Sequence, residues 1–210
     1  MKLLLHTCCA PCSIQCVGTL AAEGVQPDLF WFNPNIHPYT EYRSRRDSLL
    51  QFAEDNKLPL LIEDEYGIRS FINGIIADDL IADKAIAVGR NAAGSSAAVP
   101  APREDFSGPK RCAFCYRLRL EKAARVAAEK GYDAFSTSLL ISPHQNHELI
   151  RQIGGEQAST FGVEFLYRDF RPRFREGQSR ARVAGYYMQK YCGCIFSEEE
   201  RYLSTKRDGK

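Results

Sequence analysis

Residues Lys2 to Cys12, KLLLHTCCAPC, pass from an apolar run to a cysteine-rich loop within a few positions. KLLL has the character of a short buried strand. Ser13 to Glu23 then places Ile14, Val17, Leu20 and Ala21 at helical spacing, so the opening reads as strand, loop, helix. Asp28 to Phe32 (DLFWF) is a second apolar run, closed by the turn signal Asn33-Pro34-Asn35. Tyr42 to Lys57 reads as a helix with a basic face, and Leu58 to Ile62 as a third strand around Pro59, whose missing N–H suits a strand start or an edge. This βαβαβ order argues for a parallel sheet covered by helices, with chemistry outside the carboxyl ends of the strands. A nucleotide-binding domain of that class would put glycines after the first strand, as in GxGxxG or GxxxxGK[ST]. Cys8, Cys9 and Cys12 stand there instead, which argues against ATP use. There is no serine elbow, HExxH or EF-hand pattern either.

The chain of 210 residues, 44% hydrophobic and formally +2, matches one large domain, or one with an insertion, when roughly 150 residues is the unit. Such a length buries about 70% of its unfolded surface and needs no staples. From Gly67 to about Lys110 the pattern weakens. Asn91 to Pro102 (NAAGSSAAVPAP) is small-residue, low-complexity sequence, and 67–110 is expected to be a partly low-complexity, mobile insertion. Cys112 to Lys130 is a strong helix by composition, stopped by Gly131. Ala134 to Ile141 is a fourth strand, Asn146 to Phe161 a helix, and Val163 to Tyr167 a fifth strand. Gln178 to Tyr191 is expected to be a helix delivering the last two cysteines. Ser197 to Leu203 is a short helix capped by Ser197, with Glu200 three positions on. The first residues do not read as a secretory signal, and no run approaches the roughly 18 apolar residues of a membrane span. The expectation is a cytosolic chain whose thiols stay reduced.

Seven of the eight cysteines fall in three groups: Cys8, Cys9 and Cys12; Cys112 and Cys115; Cys192 and Cys194. Loops after strands and helix N-termini meet on one edge of a parallel sheet, so the first two groups can converge. A helix N-terminus favours the thiolate, the form that binds metal. Two cysteines from CCxxC and two from CxxC supply the four thiolates that either a tetrahedral zinc or a 4Fe-4S cluster demands, and spacing alone does not choose between them. Buried inert thiols are the plain alternative, and Cys16 is read as one. Cys192-Gly193-Cys194 is different. Its Cα atoms span at most about 7 Å, near the upper edge of disulfide geometry, so a bridge there would be strained and would suit a redox couple better than a staple.

Net charge hides local asymmetry. Lys110 to Arg125 carries six basic residues against Glu121, and Arg168 to Lys190 seven against Asp169 and Glu176; Arg43, Arg45 and Arg46 form a third group. With Phe114, Tyr116, Phe170, Phe174, Tyr186 and Tyr187 interleaved, this is the mixture that contacts phosphates and stacks bases, although a solvated helix face has the same composition. Asp169, after the fifth strand, is a candidate proton donor, metal ligand or partner of Arg171. His144 and His147 fit positioning or capping, Asn146 a helix cap, Trp31 the core, and His6 either core or site.

HTCCAPC (6–12), RCAFCYRLRLEKAA (111–124), SLLISPHQNHELI (138–150), FLYRDFRPRFREGQ (165–178) and YMQKYCGCIFSEEER (187–201) together resemble the epoxyqueuosine reductases of the QueH type. The resemblance covers nearly the whole chain apart from about 67–110. It implies a single HUP-like, Rossmann-like α/β domain over residues 1–210 whose nucleotide loop is given to an iron–sulfur centre. It also implies reductive removal of the epoxide oxygen of epoxyqueuosine at the tRNA wobble position, with an external electron donor. Carried over residue by residue, Cys8, Cys9, Cys112 and Cys115 would ligate a 4Fe-4S cluster, and Cys192 with Cys194 would form a redox-active disulfide. A second, mononuclear iron is a further option in that family, with Cys12, Asp169 or a C-terminal thiol as ligand. Loss of the epoxide oxygen as water needs two electrons and two protons, whereas a lone cluster passes one electron at a time, so a second redox element is expected. The competing classes are a zinc-stapled RNA-binding module and an iron–sulfur electron carrier.

Overall fold

The computed structural model describes residues 1–87 and 108–207. Five strands, β1 (Leu3–Thr7), β2 (Pro27–Trp31), β3 (Leu60–Ile62), β4 (Ala134–Thr137) and β5 (Glu164–Phe165), form one sheet in the order β3-β2-β1-β4-β5. All four pairings are parallel, with Leu3 opposite Pro27 on one side and Ala134 on the other. The expected α/β architecture is present. The helices are α1 (Ala10–Ala22), α2 (Tyr39–Asp55), α3 (Ile68–Ala87), α4 (Gly108–Glu129), α5 (His147–Phe161), α6 (Phe174–Val183) and α7 (Ile195–Arg207). None of the described helices is long and apolar enough to cross a membrane.

The central strand explains itself. Leu3, Leu4 and Leu5 are each at most 1% exposed, because a strand covered on both faces must be apolar throughout. Each such side chain contributes about 1.5–3 kcal/mol on burial. His6, at the end of the same strand, is core rather than surface: its Nδ1 lies 3.0 Å from Thr137 Oγ1 and its Nε2 3.1 Å from the Phe32 carbonyl. Burial drives its pKa down to about 4, so the ring is neutral at pH 7. Trp31 is also core, its indole N–H donating to Tyr42 Oη. Asn146 caps α5 as expected, accepting from the Leu149 amide at 3.1 Å.

Several boundaries differ from the sequence reading, each for a physical reason. The fourth strand stops at Thr137, and Ser138–Ile141 is a 3-10 turn because Thr137 Oγ1 accepts the Leu139 amide. The helix expected over 178–191 begins earlier, at Phe174, and ends at Val183; Gly185 takes a left-handed φ of 74°, and the chain reaches the last cysteines as an irregular segment. The final helix starts at Ile195, so Ser197 lies inside it and is not its cap. Ser197 Oγ instead accepts from the Gly193 amide and donates to the Cys194 carbonyl, while Glu200 goes to Arg111.

The weak pattern after Gly67 conceals α3, whose Phe71 and Ile75 are buried in a second apolar cluster with Cys115 and Cys194. The low-complexity run 91–102 lies outside the described residues. A Cβ at Gly74 would press into the Phe114 ring, and Phe114 packs on Phe71 with ring centroids 5.8 Å apart. Gly74→Leu is therefore expected to cost about 1–3 kcal/mol of stability by overpacking, read as a lower urea midpoint with unchanged slope.

Candidate functional site

Strand order reverses at β1, since β2 follows on one side and β4 on the other. The crevice of such a sheet opens beyond the carboxyl ends of those strands. The chain places Cys8 immediately after β1 and Ser138 immediately after β4. The Cys8 amide donates to Ser138 Oγ at 3.2 Å, and that hydroxyl lies 3.6 Å from Cys8 Sγ. Cys9 is the N-cap of α1 in extended conformation with no side-chain cap bond, leaving the positive end of the helix facing the sulfurs. Cys12 sits on the first turn. The three sulfur atoms lie within 4.8 Å of one another and all three residues are buried. Hydrogen bonds from Cys12 and Cys9 hold the Cys8 thiol well below its usual range. Burial pushes Cys9 up, and the bond to Cys8 pushes Cys12 up. Cys16 is inert as expected, fully buried with its sulfur 3.2 Å from the Cys12 carbonyl.

Two cavities adjoin here. The first, about 290 Å³, is lined by Cys8 and Cys12 together with Phe174, Gln178, Gln189 and Cys192. The second, about 220 Å³, holds Cys112, Cys115, Cys192 and Cys194 in its walls. His144, Gln145 and Cys192 belong to both, so the third cysteine group forms part of the partition between the other two. Cys112 and Cys115 lie on the first turns of α4, one helical turn apart. Burial pushes Cys112 up to about 11 and Cys115 up to about 12. Among the described residues only Cys8, Cys9 and Cys12 form a compact metal-sized group; of the set Cys8, Cys9, Cys112 and Cys115, Cys8 lines the first cavity, Cys112 and Cys115 line the second, and Cys9 lines neither but sits within the trio, so the four do not form one tight cluster.

Cys192 is exposed and Cys194 buried, and all eight cysteines are free thiols. The backbone between the two is clamped. Arg45, fully buried on α2, donates to the Cys192 carbonyl at 2.8 Å and to the Tyr191 carbonyl at 2.9 Å, and its Nε pairs with Glu41 at 2.7 Å. Tyr187 Oη holds the other Glu41 oxygen. From the opposite side the His37 amide donates to the Gly193 carbonyl at 2.8 Å. Gly193 has φ of 143°, and a Cβ there would stand 3.2 Å from both Arg45 Nη1 and Ile36 Cγ1, so only glycine fits. A second chain of contacts reaches the Cys192 side chain: Tyr116 Oη donates to Gln145 Oε1 at 2.6 Å, which turns the Gln145 amide nitrogen toward Cys192 Sγ at 3.4 Å.

The remaining candidates lie elsewhere. Asp169 is exposed and bound bidentately by Arg171 at 2.8 and 2.6 Å, which holds its carboxyl below the usual carboxylate range. It lines neither cavity, so its placement favours the ion pair over the proton-donor and metal-ligand roles. His147 is buried between Tyr167 and the Ser142 carbonyl, a structural placement, whereas His144 is exposed at the partition. Much of the basic run 168–190 is internally paired, Arg168 with Glu23 and both Arg173 and Arg180 with Glu176, while Arg175, Arg182 and Lys190 are exposed. Sequence reasoning counted Arg45 and Arg119 only within basic groups suited to phosphates, whereas both are buried, and it gave no role to Gln145; the local signals were Glu41 four residues before Arg45 and Cys115 four residues before Arg119, each on one helix face.

Fold and site define a Rossmann-like α/β protein with thiols in the place of phosphate-binding glycines. The family model described as epoxyqueuosine reductase QueH matches residues 3–84 and 96–200, and the chain belongs to that family. It is 32% identical to the epoxyqueuosine reductase QueH of Dehalococcoides mccartyi, over 96% of this chain and 94% of that protein. The proteins of the same name from Acinetobacter baylyi and Thermotoga maritima are 33% and 30% identical. They align over 93% and 95% of this chain, and over 80% and 91% of their own length.

Removing one partner of a buried ion pair strands the other. Arg45→Met should cost about 3–5 kcal/mol in urea unfolding, and Arg45→Met with Glu41→Gln measurably less than the sum of the two single changes.

Proposed function

We propose that this chain reduces epoxyqueuosine in tRNA to queuosine, with Cys8, Cys9, Cys112 and Cys115 holding a 4Fe-4S cluster and Cys192 with Cys194 acting as a redox dithiol. The supporting observation is that six cysteines line two adjoining cavities at the switch point of the sheet, with Cys9 beside Cys8 and Cys12 in the compact trio. The donor set suits the cluster: it is all sulfur, and two buried guanidinium groups, Arg45 and Arg119, offset the charge of several thiolates. When bound, a 4Fe-4S cluster supplies electrons singly. Cys12 is the natural candidate for a second iron, being the third member of the compact trio.

The dithiol closes the electron balance. Epoxide and two thiols become alkene, water and one disulfide: two C–O bonds break, two electrons and two protons leave the sulfurs, and the oxygen departs as water. Exposed Cys192 at the partition suits exchange with an external donor, and buried Cys194 suits the role of its internal partner. The larger cavity suits the modified base, with Phe174 available to stack and Gln178 and Gln189 to hydrogen-bond. Lys190 lines this cavity, and it and the exposed Arg175 and Arg182 are available to flanking phosphates. Asp169 is given no chemical step. Thiols of this kind function in the reducing cytoplasm.

Two measurements test the reading. Protein purified anaerobically without added metal should hold about four iron and four acid-labile sulfide per chain; stoichiometric zinc without sulfide would establish the structural RNA-binding alternative instead. Cys112→Ser should lower cluster content, whereas Cys192→Ser and Cys194→Ser should keep it and lose about tenfold or more in multiple-turnover rate. Full turnover by both C-terminal variants would remove the dithiol from the mechanism.

A further inference from the structure

Arg119 is 2% exposed, and no carboxylate of the described residues pairs with it. Its head is fixed by Cys115 alone, through one oxygen and one sulfur: Nε donates to the Cys115 carbonyl at 3.1 Å, and Nη2 lies 3.1 Å from Cys115 Sγ. It lines the second cavity with Cys112, Cys192 and Cys194, and its field reaches Cys8 across the partition, so one permanent charge is shared by all three cysteine groups. A guanidinium taken out of water without a carboxylate is tolerated where anions surround it, and the cysteines here would become those anions on ligating a metal. The other buried guanidinium of the site, Arg45, has Glu41. Arg119 therefore matches a site built to carry negative charge in excess of its own carboxylates.

We propose that Arg119 is the positioning residue that sets the redox poise of the centre bound by these thiols: its charge favours the more negative, reduced state, and its N–H holds the Cys115 sulfur. The inference rests on the reading that Cys115 ligates an iron–sulfur cluster. Reduction adds one electron, here from dithionite, and one unit of negative charge close to the guanidinium, with no proton required.

The test is an anaerobic dithionite titration followed by electron paramagnetic resonance on the full chain with its cluster, comparing wild type, Arg119→Gln, Arg119→Lys and the exposed control Arg125→Gln. At a fixed potential the reduced-to-oxidised ratio of Arg119→Gln should fall about tenfold, a midpoint about 59 mV lower for one electron. Arg119→Lys, which keeps the charge, should stay within threefold of wild type, and Arg125→Gln should not move. The proposal is overturned if fully loaded Arg119→Gln stays within threefold of wild type, or if Arg119→Lys falls as far as Arg119→Gln. Should Arg119→Gln fail to hold the cluster, retention by Arg119→Lys supports the charge role, and equal loss shows a structural one. A wild-type protein with no reducible centre would overturn the cofactor reading itself, a result visible before any variant is made.

Discussion

β1 is hydrogen-bonded to β2 on one side and β4 on the other, and everything in the site depends on that pairing. Two parallel ladders sharing one strand oblige the chain to leave in opposite directions from neighbouring strands. The resulting gap lies beyond Thr7 and Thr137, where no side chain of the sheet fills it. Cys8 and Ser138 are the residues that follow, and their direct contact closes the floor. α1 starts over the gap and aims its unpaired amides into it, which favours any anion placed there. In many α/β proteins that anion is a phosphate, and glycines let it approach. Here sulfur atoms occupy the space, and among them the Cys8 thiol is the one whose hydrogen bonds favour the charged form.

Such an arrangement needs internal cations, and Arg45 and Arg119 meet the need in different ways. Arg45 spends its charge on Glu41 and its remaining donors on two backbone carbonyls, so it acts mainly as a brace for the segment carrying Cys192 and Gly193. Arg119 binds no carboxylate and donates to a sulfur. The two guanidinium groups thus divide support of the backbone from compensation of charge. The glycine between the last two cysteines belongs to the first of these tasks, because the chain there takes a φ of 143° that side chains rarely adopt, with Arg45 and Ile36 packed close against it.

The second cavity is assembled from parts remote in the chain: α3, the start of α4, the partition at 144–145 and the turn into α7. The ion pair of Arg111 with Glu200, at 2.7 and 2.8 Å, ties α4 to α7, and Phe71 and Ile75 close the apolar side. Cys192 faces both cavities and Cys194 only one. The two thiols of one short motif therefore occupy different environments, as a couple must if one partner meets solvent and the other does not.

Much of this was legible in the amino-acid sequence. Alternating apolar runs and helical periodicities specify a parallel α/β sheet, because strands buried on both faces and helices buried on one face leave distinct patterns. The three cysteine groups and the absence of phosphate-loop glycines point to a thiol site after β1, since local spacing determines which residues share a turn. The helix α3, the true start of α7 and the end of α6 were not legible, as each depends on partners distant in the chain or on a backbone angle that composition does not reveal. Spacing offered Arg171 as a partner for Asp169 without choosing it over the other two roles, and gave no sign that Arg45 would brace the CGC turn or that Cys192 would stand between two cavities. Those outcomes follow from which groups find each other in three dimensions. A sequence determines the available donors, acceptors and apolar faces; only their packing decides which are satisfied by one another and which are left facing a site.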